Sequence, residues 1–147
     1  MRAKSSSLSI DPTNTSSFGD YAIFLETVHR DYDRAEEMYE RAIAADPSNA
    51  DILGYYAVFL ETVRRDYDRA EGMYEWTIVA DPDHAHNLGN YADFLETVRR
   101  DYDRADTMYG WAIAADPSNA DILGVYAVFL KNEPFSPGIL PDWPGST

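Results

Sequence analysis

The chain has no cysteine, which excludes a disulfide framework and thiolate chemistry and leaves the redox compartment open. Basic residues are scarce. Only 12 Lys and Arg stand against 26 Asp and Glu, a formal charge of −14 over 147 residues. A surface that acidic repels phosphate backbones and anionic headgroups, so nucleic acid and membrane are poor expectations and a basic protein partner is a better one. No apolar run approaches the roughly 20 residues that cross a bilayer. Met1 to Pro12 is polar and Ser-rich, without the apolar core of a signal peptide. The expectation is one domain's worth of soluble, cytoplasmic protein.

The spacings that carry chemistry are missing as well. There is no Ser-His arrangement for nucleophilic work and no Gly-rich phosphate loop. The Asp-x-Asp pairs at Asp31, Asp66 and Asp101 lack the Gly and the distal Glu of a calcium loop, and they read as helix caps. His84-Ala85-His86 lies near Asp81 and Asp83, but spacing fixes no third strong ligand. The plainer reading places His84 where Asn49 and Asn119 stand in the neighbouring units. The carboxylates Asp93 and Glu96 belong to an expected solvated face, not to an acid–base pair. No catalysis, metal or cofactor is expected. Asn14-Thr15-Ser16 fits a glycosylation triplet, which matters only in a secreted protein.

What the chain does have is repetition. Tyr21, Tyr56, Tyr91 and Tyr126 recur every 35 residues, as do the Asp-Pro pairs at Asp11, Asp46, Asp81 and Asp116. A period of that length marks stacked supersecondary units. Each unit holds two helical patterns. In the first, Leu53, Tyr56, Ala57 and Leu60 form an apolar stripe, which Ile52, Val58 and Phe59 widen until the helix must be covered on several sides. Ser48 or Asn49 is placed to cap it. In the second, Ala35, Met38, Tyr39, Ala42 and Ile43 repeat the spacing, with Asp31 or Asp33 as cap and Asp46-Pro47 as terminator. Short turns at His29-Arg30, Arg64-Arg65 and Arg99-Arg100 join the two helices into antiparallel hairpins.

The blocks Asp66-Tyr67-Asp68-Arg69-Ala70, Tyr74, Thr77, Ile78 and Asp81-Pro82, with equivalents at Asp31 to Pro47 and Asp101 to Pro117, resemble the tetratricopeptide repeat family. That resemblance implies an all-α solenoid of antiparallel helix hairpins, a superhelix with a concave binding face. Two departures stand out. The period is one residue longer than the family's usual unit, and Arg30, Arg65 and Arg100 occupy the turn where the family often has Gly. The phrase Tyr-Ala-x-Phe-Leu-Glu is similar to half-a-tetratricopeptide repeats, but the regular Asp-Pro endings favour the former family.

The expected organisation is a lead-in over 1–15 carrying the tail of a lost repeat, three units over 16–49, 50–84 and 85–119, a lone first helix over 120–132, and a Pro-rich tail over 133–147 with Phe135, Ile139, Leu140 and Trp143 as apolar anchors. The concave face is expected to carry Ile23, Val58, Asp93 and Val128, with Glu26, Glu61 and Glu96 one turn on. In the modules of this family that clamp chaperone tails, Lys and Asn hold those places. Here they are apolar or acidic, so capture of a free carboxylate is not expected. The first function expected is a non-catalytic scaffold binding an apolar, basic-flanked protein segment. The alternative is head-to-tail self-assembly into a ring or filament through uncapped ends. Its possible contacts are Phe18, Trp76, Trp111, Ile122, Tyr126, Phe135, Leu140 and Trp143. For Trp76 and Trp111, core filling is the favoured reading over an exposed pair.

Overall fold

The computed structural model describes residues 15–132. The lead-in match at Ile10 to Asn14, the Asn14 triplet and the anchors Phe135, Ile139, Leu140 and Trp143 lie outside the described residues. The helices are α1 (Thr15–Phe24), α2 (Tyr32–Ala45), α3 (Ala50–Phe59), α4 (Tyr67–Ala80), α5 (Ala85–Phe94), α6 (Tyr102–Ala115) and α7 (Ala120–Asn132). The pairs α1–α2, α3–α4 and α5–α6 pack as hairpins, each stacks on the next, and α7 follows as a single helix. The fold is an α-solenoid. Among the described residues, no helix is long and apolar enough to cross a membrane.

Side-chain caps start these helices. The Asp31 carboxylate accepts from the Arg34 amide at 3.3 Å, and Asp66 and Asp101 do the same in the next two units. Asn49, rather than Ser48, caps α3 by accepting from the Ile52 amide at 3.2 Å. Each capped acceptor satisfies an amide that has no partner within the helix.

The first helices do not end in simple turns. Leu25–His29, Leu60–Arg64 and Leu95–Arg99 form π-type turns, which close on left-handed Arg30, Arg65 and Arg100 at φ 54°, 54° and 57°. The next amide, on Asp31, Asp66 or Asp101, reaches back to the Leu25, Leu60 or Leu95 carbonyl at 2.9 Å. A π turn holds one residue more than an α turn. This is where the extra residue of the 35-residue period is taken up, and it is why an arginine must adopt the conformation that glycine enters freely.

Left-handed backbone costs a residue with a β-carbon about 1–2 kcal/mol, partly offset by glycine's larger entropy loss on folding. Arg65→Gly should therefore stabilise the chain by roughly 0.5–1 kcal/mol, raising the melting temperature by about 2–4 °C. A lower melting temperature would mean that the Arg65 side chain contributes more than its backbone strain removes.

The core follows the two stripes. Leu53, Ala57 and Leu60, at i, i+4 and i+7, are fully buried, as are Ala35, Ala70 and Ala105 where the second helices approach closely. Tyr39, Tyr74 and Tyr109 are each 1 % exposed and pack on the next unit's Tyr56, Tyr91 and Tyr126, with ring centroids 5.4 to 5.6 Å apart. The core-filling reading of the tryptophans is corrected for Trp76, which is 36 % exposed. Its repeat position points outward, as the exposed Arg41–Glu37 ion pair at 3.1 Å shows in the first unit. Trp111 is half-buried against the core.

Candidate functional site

Glycines bring the first helices together. A β-carbon on Gly19 would lie 2.2 Å from Ile52 Cδ1, and one on Gly54 would lie 2.1 Å from Asn87 Oδ1. Clefts run along these close approaches. One, between α3 and α5, is lined by Asp51, Gly54, Tyr55, His84, His86, Asn87 and Asn90. The other, between α5 and α7, is lined by His86, Gly89, Asn90, Asp93, Tyr109, Asp121, Ile122 and Val125.

The third unit differs from its neighbours here. Asn87, Asn90 and Asp93 take the places of Ile52, Tyr55 and Val58. Asn87 is buried and donates to the Ala50 carbonyl at 3.0 Å, tying α5 to the start of α3. His84 works as a cap. Its Nδ1 accepts from the Asn87 amide at 3.2 Å, which leaves the proton on Nε2 to donate to Asp51 at 2.6 Å. Among the described residues, no group of three His, Cys, Asp or Glu side chains could hold a metal ion.

Of the expected groove residues, Asp93 lines the α5–α7 cleft. Val58 and Ile23 are half-buried and Val128 is 57 % exposed. Glu26, Glu61 and Glu96 do not form a freely solvated face. The hydroxyls of Tyr39, Tyr74 and Tyr109 donate to them at 2.7, 2.7 and 2.9 Å. Burial raises the Glu61 and Glu96 carboxyls above the ordinary range; the tyrosine hydrogen bonds oppose this, and the nearby Asp93 charge adds to it. Asp93, set in the α5–α7 cleft, is raised by burial alone. Three carboxylates whose charge is disfavoured are therefore linked through Asp93, which lies in the α5–α7 cleft and acts on the other two. Sequence reasoning missed the cleft residues Asp51, Tyr55, His86, Asn90 and Val125, and it missed the Tyr–Glu links. The one available signal was that Glu26–Tyr39 recurs with the period as Glu61–Tyr74 and Glu96–Tyr109.

The sign of the pH effect follows. The folded chain holds the Asp93 proton more tightly than the unfolded chain does, so the penalty is absent below the unfolded pKa of about 4 and complete once pH exceeds the raised folded value. Asp93→Asn should accordingly raise the melting temperature at pH 7, and the gain should shrink to nothing as pH falls to about 4. A gain that is constant across this range would show that Asp93 carries no protonation penalty.

A second polar system crosses the joints between units. Glu36 on α2 accepts from Tyr56 Oη at 2.7 Å, from Arg64 Nε at 2.9 Å and from Arg69 Nη1 at 3.2 Å, and Arg64 also reaches Asp33 at 2.7 Å. Burial works against the Glu36 charge, but these donors outweigh it and hold its carboxyl below the ordinary range. One unit on, Glu71 accepts from Tyr91, Arg99 and Arg104 in the same way. Each rung ties a second helix to the next hairpin.

Several expected assembly contacts are not surface residues. Phe18, Ile122 and Tyr126 are each 6 % exposed, packed into the chain's own core because they lie on the stripe that meets the preceding units. Phe135, Leu140 and Trp143 are outside the described residues. The apolar side chains that are open at the ends are instead Phe24 and Val28 on the first unit, and Leu123, Val125 and Val128 on α7.

Residues 28–62 match the model of a tetratricopeptide repeat. No curated protein matches the chain. Among solved structures, the chain is similar to the first tetratricopeptide domain of Spaghetti (RPAP3) bound to the HSP90 peptide SRMEEVD, with a TM-score of 0.70 and 13 % identity over 83 % of this chain and 94 % of that one. The matched segment spans one turn-to-turn period, the same hairpin recurs before and after it, and the fold as a whole is that of a stack of tetratricopeptide-like hairpins.

Proposed function

We propose that the protein is a non-catalytic scaffold whose row of first helices forms a concave face binding a protein segment with an apolar centre and basic flanks. One observation carries this reading: Asp93, whose charge is disfavoured in the free chain, lines a cleft with Ile122 and Val125, and it acts on the equally disfavoured charges of Glu61 and Glu96. A cationic side chain placed among them relieves that penalty, so binding strengthens as pH rises through the carboxylate range and takes up charge that the fold alone tolerates poorly. The structural neighbour holds a peptide with two glutamates and an aspartate. The residues proposed for the face here include Gly54, Val58, Glu61 and Asp93, which suit the opposite charge. The fit is to basic segments.

The test is a pair of labelled peptides with the same apolar centre, one flanked by Lys and Arg and the other by Glu, titrated by fluorescence anisotropy. The variant Glu61→Gln/Asp93→Asn/Glu96→Gln removes the charge yet keeps acceptors for Tyr74 and Tyr109, which charge reversal to Lys does not. The basic peptide should bind the parent chain about tenfold or more tightly than the variant, and its affinity should fall with salt. Equal affinity for both peptides, or an unaffected variant, rejects the proposal.

A further inference from the structure

The polar rungs across the joints are complete twice and unfinished once. Asp106 on α6 stands where Glu36 and Glu71 stand in the earlier units, and its Oδ1 accepts from Tyr126 Oη at 2.7 Å as they accept from Tyr56 and Tyr91. Its Oδ2 has no partner, although Asp106 is only 1 % exposed. Burial raises its carboxyl above the ordinary range, against the Tyr126 hydrogen bond and with help from Asp103. An unpaired buried carboxylate oxygen is costly, and native folds rarely leave one without a purpose. In the earlier rungs the missing donors are arginines of the following unit, Arg64 with Arg69 and Arg99 with Arg104. Their equivalents here are Pro134 and Ile139, and residues 133–147 contain no Lys or Arg at all. Residues 133–147 therefore supply no basic side chain to this rung.

Among the described residues, no second helix follows α7. Leu53 and Ala57 on α3, and Leu88 and Ala92 on α5, are 0 % exposed under the second helix of their own hairpin. On α7 the matching Leu123 is 42 % exposed and Ala127 is also exposed.

We propose that the open face of α7 docks a helix from a partner protein, and that this helix presents an arginine to Asp106 Oδ2. Its chemistry is that of the chain's own second helices. A small residue meets Leu123 and Ala127, an aromatic lies one turn on, and an arginine immediately precedes the small residue, as Arg34 precedes Ala35 and Arg69 precedes Ala70. The site is separate from the groove face, because Leu123 and Ala127 are not among the residues that line the α5–α7 cleft.

The probe is a capped, labelled peptide of Asp31–Ala45, compared with the same peptide carrying Arg34→Gln, titrated against the full chain by fluorescence anisotropy. The arginine peptide should bind about tenfold or more tightly than the glutamine one, since a guanidinium on a buried carboxylate is a charge-assisted bond. Asp106→Asn keeps the acceptor for Tyr126 and should bring the two peptides to equal affinity. Leu123→Glu, at an exposed position that folding tolerates, should abolish binding of both, whereas the groove variant Glu61→Gln/Asp93→Asn/Glu96→Gln should bind them unchanged. The proposal is overturned if the arginine and glutamine peptides bind alike, or if neither binds at millimolar concentration. It is also overturned if the chain sediments as a dimer that Leu123→Glu dissociates, which would give this face to a second copy.

Discussion

Tyr74→Ala should destabilise the protein by about 3–5 kcal/mol, the range for deleting a large buried aromatic. Tyr74 is 1 % exposed, stacked on Tyr91 at 5.5 Å with 13° between the rings and in contact with Phe94 at 5.3 Å. It therefore holds α4 against α5, the joint in the middle of the array. Deleting it opens a cavity bounded by helices of two units, which cannot collapse without shifting one unit on the other. The loss is a large fraction of the roughly 5–15 kcal/mol that a domain of this size has available. Tyr74→Phe separates the ring from the hydroxyl. It keeps the stack and removes only the bond to Glu61, so its cost should be about 1 kcal/mol. Urea titration followed by circular dichroism measures both, and a loss below about 1 kcal/mol for the alanine variant would mean that the joint is held elsewhere.

Gly54→Leu should cost about 3 kcal/mol, at the upper end of overpacking effects. The new β-carbon would fall 2.1 Å from Asn87 Oδ1 and 3.0 Å from its Cγ. Asn87 has little freedom to yield, being 3 % exposed and bonded to the Ala50 carbonyl. The first helices of units two and three must then separate, which widens the α3–α5 cleft and weakens the coupling on which a stacked array depends. Gly124→Leu is the matched control. It occupies the same repeat position with open space around it, so helix propensity alone acts and the change should stabilise by up to about 1 kcal/mol. Thermal unfolding of the two variants in parallel tests the pair, and equal effects would refute the close approach of α3 and α5.

These two glycines show how far repetition can be read. They are the same letter at the same place in units two and four, and sequence periodicity treats them alike. Contact with Asn87 makes one indispensable, and the end of the described array makes the other optional. Glu61 is a comparable case. Its repeat position and charge marked it as a groove residue, but nothing local says that a tyrosine 13 positions on returns to hold it. Trp76 shows the reverse, since a large aromatic in an apolar pattern reads as core until the helix is seen to turn that position outward.

The sequence by itself determined the hairpin unit, its 35-residue period, the Asp and Asn caps and the acidic character of the chain, because helix stripes, caps and terminators act over a few neighbouring residues. Only the tertiary structure decided the π turns, the rungs from Glu36 and Glu71, the raised carboxyls around Asp93 and the unmet oxygen of Asp106. Each of those depends on groups that are far apart along the chain and meet only when one hairpin lies on the next. The extent to which water is excluded where they meet then sets their charge and their pairing.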